Sequence, residues 1–532
     1  MTLAAFLLFI VTFHHGIQRG YDQVIPVGNV SRVVLAIASY LTEIAYGERG
    51  YVLDYSLYRQ LESRGISRDP AVVAPLGLTA PDNLKNAAFI DAVLDGMLKD
   101  IPNYPPKPTL SGHSTEDVGL VTFTKLAFFL FGRHIRAYYY LFFLIFAATV
   151  ITAFIERRNS LQSQCLILTF MLLFYLFCFY SPQFLNTKAN ALGTFWNPHF
   201  ITQLGVIPLL HILLMMIDRV PFTPEKVSAV IAQSLVIGLV IHIRSTGVYL
   251  PIALFVAALG CCVVQWWSAR GETARASLQS IARLSWPAVV AIVTVVIFIQ
   301  TALSARHPVY RVDGAFGRHT YWHSIYYSLQ FHPQFQARFG AMHENRTGDA
   351  MPYAGVRWYL KQHPELDTAA IYAPNGELRI PDMERLARLA FMEFVRRHPK
   401  FVFEMYLKYK APIMFGYIGE TISAEWRHMS RLGRVMAAVA ALLAAAWLSG
   451  RPEHRQLYRR FTACVCAIAL TAFGMIFMTV PGFNDPETIL AVQFAALLLV
   501  VLGLSHCCRH AVRLRLAAVQ FAAVRSHRSS GK

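Results

Sequence analysis

The sequence predicts an all-α polytopic membrane protein of about ten transmembrane helices, with two extracytoplasmic segments that include surface helices. Three observations predict it. Hydrophobic residues make up 55% of the 532-residue chain and charged residues only 15%, against roughly 25% charge in a soluble domain. The apolar residues gather in runs of about span length, separated by short charged connections. The basic connections then fall on one side of the alternation: Glu156-Arg157-Arg158, Asp218-Arg219 with Lys226, Arg270/Arg275/Arg283, Arg451/Arg455/Arg459/Arg460, and the tail with Arg509, Arg513, Arg515, Arg525, Arg528 and Lys532. Lys and Arg accumulate on the cytoplasmic side, so both long polar segments, 20–116 and 306–431, are expected outside the cytoplasm.

In chain order, 1–13 is an apolar run closed by His14 and His15; it is short, but it lacks the basic and small-residue marks of a cleaved signal and is read as the first span. The long outer loop 20–116 follows. Within it Val33, Val34, Ala36, Ile37, Tyr40, Leu41 and Ile44 recur at helical spacing and predict a helix along the membrane surface. The segment 117–132 is apolar apart from Lys125 and too short to cross, so it is expected to lie at the interface or enter the bilayer obliquely. Spans are then expected at 137–155, 165–180, 200–217, 227–243, 248–267, 286–303, 435–448, 461–480 and 488–504. The chain thus divides into a membrane domain (1–303), a mostly helical extracytoplasmic segment (304–431), the last three spans (432–506) and a basic cytoplasmic tail (507–532). Inside the second polar segment, Met383, Leu386, Leu389, Ala390 and Phe394 predict a helix over 381–395. His398-Pro399 breaks it, and 401–409 restarts a basic helix at the membrane surface, part of the run Arg396-Arg397-His398-Pro399-Lys400 to Lys408 and Lys410.

The formal charge is +18. Much of that excess sits in the connections and tail where membrane orientation requires it, so nucleic acid is not the expected partner. The eight cysteines lie inside spans or at the edge of the last one, which implies no disulfide framework, and Cys464-x-Cys466 lacks the partners of a zinc site. The chain has no glycine-rich phosphate loop, no His-Glu-x-x-His and no Gly-x-Ser-x-Gly, which argues against nucleotide-driven transport by this chain alone.

The candidate chemistry lies on the outer side. Asp22 follows the first span, Glu48 and Asp54 follow the surface helix, and Glu116-Asp117 opens the oblique one. A carboxylate at the membrane face gains basicity from partial desolvation and suits general-base work on a hydroxyl; equally, a loop of this length carries acidic groups for solubility. Arg244, in His242-Ile243-Arg244-Ser245-Thr246-Gly247 between two spans, fits either a phosphate contact or a cation snorkelling from a span end. His319 and His323, in His319-Thr320-Tyr321-Trp322-His323, offer imidazoles to a phosphate beside rings that also suit a membrane interface, the reading preferred for Tyr326 and Tyr327.

Four of these pieces together resemble the GT-C superfamily of polytopic glycosyltransferases, which use polyprenyl-phosphate-linked sugars. They are the long acidic first outer loop, the run Glu116-Asp117-Val118-Gly119 through Phe128-Phe129-Leu130-Phe131-Gly132 into the next span, the Ile243-Arg244-Ser245-Thr246 turn, and Arg396-Arg397-His398-Pro399-Lys400-Phe401. The chain departs from the family in having Glu-Asp-Val-Gly where Pro-Pro-Leu is usual, and in showing no Asp-x-Asp metal site. The resemblance implies sugar transfer on the outer face of an inner membrane to a glycan, lipid or protein acceptor of the cell envelope. It implies Asp22, Asp54 or Asp117 as catalytic carboxylates, and Arg244, with Glu48, His319 and His323, as substrate contacts. No metal and no cofactor are implied; the lipid-linked sugar is a co-substrate. The rival expectations are a transporter or flippase of lipid-linked glycans, which requires charges inside the bundle, and a glycan polymerase or ligase.

Overall fold

The structure, a computed structural model, describes residues 118–132, 136–158, 201–268, 274–305, 321–348, 350–366, 380–428, 461–471 and 498–507, with a few isolated positions between them. Every regular element among the described residues is helical. Three helical stretches, Pro224–Ile243, Tyr249–Trp267 and Gln279–Ala302, are long and apolar enough to cross a membrane, and they coincide with three expected spans. Tyr140–Glu156 and Thr202–Ile217 are apolar but shorter. The expected spans at 1–13 and 165–180, the loop 20–116 and most of the final three spans lie outside the described residues.

The apolar unit is built from α1 (Val118–Phe131), α2 (Arg136–Glu156), α3 (Val206–Ile217), α4 (Pro224–Ile243), α5 (Tyr249–Ser268) and α6 (Ala274–Ser304). Helix α4 is central: α1, α2, α3 and α6 all pack on it, while α5 lies against α6. Its start follows from local chemistry. Thr223 is extended and Pro224 occupies the first turn, where its missing N–H costs nothing. Helices α4 and α6 meet closely at Gly238, where a Cβ would sit 2.7 Å from Phe298 Cδ1. The interior is filled by Leu, Ile, Val and Phe, and α3 is buried along its whole length. The outward faces of α5 and α6 carry a continuous set of large apolar side chains, among them Phe255 at 59% exposed and Ile297 at 60%. Scattered exposed apolar residues are ordinary, but faces of this extent need a non-aqueous neighbour. Trp266 and Trp267 are exposed at the end of the α5 span, in keeping with interfacial anchors.

The polar unit comprises α7 (Tyr321–Tyr327), α8 (Phe335–Phe339), α9 (Ala350–Gln362), α10 (Ile380–Arg397), α11 (Pro399–Glu404), a π-helix (Met405–Lys410) and α12 (Ala411–His428). The predicted periodicity of α10 is realised: Met383, Leu386, Ala390 and Phe394 are buried, with Leu389 partly so. Helices α7 and α9 pack on α10, and Tyr326, Phe335, Phe391, Phe394 and Phe401 form an aromatic core. The interface reading of Tyr326 does not hold, because its side chain is fully buried. The restart after His398-Pro399 is α-helical only to Glu404 and then π-helical. Lys410, expected on a basic surface, is also fully buried.

Candidate functional site at the Arg244 turn

Helix α4 ends because Arg244 leaves helical geometry for an extended backbone (φ −146°, ψ 120°). Its N–H still donates to the Val240 carbonyl at 2.9 Å, and its own carbonyl accepts from Gly247 N–H at 2.9 Å. That second bond closes a 3-10 turn, Ser245–Val248, which leads into α5. Gly247 is required there: a Cβ would lie 2.8 Å from Val240 Cγ1 and against the Ile241 backbone.

The predicted oblique helix, α1, packs on the last turn of α4, directly before Arg244. A Cβ on Gly119 would fall 2.2 Å from the His242 carbonyl oxygen, so α1 meets α4 backbone to backbone. One turn later Thr122 Oγ1 is 3.5 Å from His242 Nε2, and the His242 ring stands edge-on to Phe298. A 3-10 turn, Thr202–Gly205, packs against both α4 and the Ser245–Val248 turn. It carries Gln203, which is 3% exposed and whose Oε1 and Nε2 both lack a hydrogen-bond partner. A buried carboxamide left unsatisfied costs on the order of 1–3 kcal/mol. Gln203 therefore lies on a turn that touches both α4 and the Ser245–Val248 turn, which the half-buried Arg244 joins. The sequence marked Arg244. Its only signal for Gln203 was a lone amide in an apolar stretch.

Of the other predicted site residues, Asp22, Glu48, Asp54, Asp117 and His319 lie outside the described residues. His323 belongs to the polar unit and is buried. The Glu384 carboxylate accepts the N–H groups of Trp322 (2.8 Å) and His323 (3.0 Å), capping α7, and the His323 ring packs edge-on to Tyr353. These contacts give His323 a place in the interior of the polar unit.

Three further polar clusters were not legible in advance. Where α2, α3 and α4 meet, Glu156 receives Arg157 Nε at 2.6 Å, His211 Nε2 at 3.2 Å and Lys226 Nζ at 3.5 Å. Arg157 also pairs with Asp218. Gln233 Nε2–H donates to the Thr149 carbonyl at 2.8 Å and to His211 Nδ1 at 3.1 Å. An amide nitrogen only donates, so His211 Nδ1 is an acceptor and its Nε2–H faces the carboxylate. In the polar unit, His343 Nδ1–H donates to the Phe339 carbonyl at 2.8 Å, and Nε2 accepts the Tyr326 hydroxyl at 2.9 Å. Burial holds the His343 imidazole below the usual histidine range and pushes the Tyr326 phenol up. Lys410 Nζ donates to Ser328 Oγ at 2.7 Å and faces the Phe331 and Tyr406 rings. Burial pulls its pKa down to about 7.

Among the described residues no group of three or more His, Cys, Asp or Glu side chains is placed to hold a metal ion. The chain matches no family model, no curated protein and no solved structure.

Proposed function

We propose that this chain is a membrane glycosyltransferase that moves a sugar from a polyprenyl-phosphate donor to a cell-envelope acceptor on the outer face of the inner membrane. One observation supports the reading above the others: a half-buried arginine between two apolar helices, with a short apolar helix packed at Gly119 backbone to backbone on the helical turn directly before it. A guanidinium in that setting suits a departing lipid phosphate, because charge-assisted bonds strengthen where water is scarce. Asp117 directly precedes α1 in the chain. In the proposed reaction a carboxylate (Asp117, Asp22 or Asp54) takes the acceptor hydroxyl proton. The acceptor oxygen bonds to the anomeric carbon as the bond to phosphate breaks, and Arg244 holds the released phosphate. The phosphate ester supplies the driving force, so no nucleotide is needed.

The test is turnover of radiolabelled polyprenyl-phosphate glucose, mannose, galactose and arabinose by membranes containing the protein, beside Asp22→Asn, Asp54→Asn, Asp117→Asn and Arg244→Ala. Loss of an electrostatic contact made in the transition state costs about 10²–10³ in rate. That loss is expected for Arg244→Ala and for one carboxylate variant. Transfer by wild type at an undiminished rate in all four variants removes the assignment.

The buried charges of Glu156 and Arg157, with the His211 imidazole and the half-buried Lys226 beside them, favour a second reading, transport of a lipid-linked glycan. It replaces the first if the protein turns over no donor yet moves such a lipid across sealed vesicles.

A further inference from the structure

The helical run from Pro399 into α12 has two unlike sides. Phe401, Val402 and Met405 point into the aromatic core of the polar unit. Phe403 and Leu407, one helical turn apart, are 65% and 55% exposed, and Phe415 further along is 59% exposed. Lys400 and Lys408 are exposed at the margins of this apolar pair. A Phe-Leu pair bordered by lysines matches the profile of a bilayer interface, in which rings and alkyl chains enter the acyl boundary and ammonium groups meet lipid phosphates. The same chain also supplies the bilayer: helices long and apolar enough to cross it precede the polar unit in sequence.

We infer that the face formed by Lys400, Phe403, Leu407, Lys408 and Phe415 is a membrane-docking surface that seats the polar unit on anionic phospholipid of the bilayer its own helices cross. Phe403, Leu407 and Phe415 insert, and the two lysines bind headgroup phosphates. Seating the unit in this way holds the aromatic core and the Lys410–Ser328 contact just above the lipid. The inference does not depend on sugar transfer.

The test places p-benzoylphenylalanine singly at positions 403, 407 and 415, and at the exposed polar position Gln362 as control, in the full chain. The protein is reconstituted into vesicles of phosphatidylcholine alone or mixed with phosphatidylglycerol, irradiated, and its adducts weighed by mass spectrometry. Adducts to phospholipid are expected at 403, 407 and 415 and not at 362. Yield should rise in the anionic vesicles and fall by at least about threefold in the Lys400→Glu/Lys408→Glu variant, since each basic residue near an anionic surface is worth about 1 kcal/mol. Adducts to protein, or a yield at 403 and 407 equal to that at 362, overturn the docking surface. Lipid adducts indifferent to phosphatidylglycerol and to the charge reversals overturn the phosphate contacts.

Discussion

Lys410 shows most sharply how far a single residue departs from its expected setting. A lysine in a basic helical run reads as solvated, yet this one is fully buried and donates to Ser328 Oγ. Its ammonium is disfavoured by desolvation, so the folded group titrates near 7, whereas the unfolded lysine titrates near 10.4. Between those values the unfolded chain binds a proton that the folded chain does not, and stability rises with pH. Chemical denaturation of the polar unit, followed by hydrogen exchange between pH 7 and 9.5, should show that rise. Lys410→Met should flatten it and raise stability at pH 7, whereas an equal slope in both proteins would mean the amine is solvated. Gln203 makes the complementary case. If its orphaned amide awaits substrate, Gln203→Leu should leave the unfolding temperature unchanged or higher, because an unsatisfied group is removed. Donor turnover should meanwhile fall at least tenfold, roughly the effect of one lost hydrogen bond. Unchanged turnover would assign the amide to packing alone. Neither residue was legible as buried, because hydropathy treats Lys and Gln as surface residues whatever the fold later covers.

At the scale of elements, the periodic helix α10 was readable because its buried positions repeat every three or four residues. The boundary at Arg244 was readable as a polar break between apolar runs. What closes the site was not. Gly119 looked like one more small residue, but its lack of a side chain is what lets α1 touch α4 at the His242 carbonyl. Gly119→Val should force the helices apart and cost about 1–3 kcal/mol, with loss of any function that depends on α1 lying over the turn. A thermal melt of the detergent-solubilised protein, paired with turnover, checks both halves. The Glu156 cluster was hidden for a different reason: its partners His211 and Asp218 are distant in sequence, and only the packing of α2 against α3 and α4 joins them. Glu156→Ala should cost about 3 kcal/mol, the low end for a broken buried pair, because Arg157 and His211 lose their shared carboxylate while Asp218 still pairs Arg157. Glu156→Ala/Arg157→Ala should recover part of that loss, and a double variant no more stable than the single one would show that the charges are not coupled.

For the molecule as a whole, the sequence was most informative about what the chain is made of. Among the described residues, the helical architecture and the three apolar helices of spanning length follow from composition and run length, since a bilayer permits few other ways to satisfy the backbone. The carboxylates proposed for catalysis remain assigned by sequence, whereas Arg244 now has a setting: a helix packed on the α4 turn before it and, on a turn touching the one after it, the Gln203 amide.

The π-helix Met405–Lys410 has a consequence for how the chain tolerates change. A π turn holds one residue more than the α frame around it, so a one-residue deletion there can be absorbed without breaking the helix. Every residue downstream, beginning with Ala411, would then keep its angle about the axis, whereas the same deletion in an unbroken α-helix would turn them by about 100°. The segment acts as slack in the register: its extra residue is one the chain can lose between the interior of the polar unit and the helix that follows.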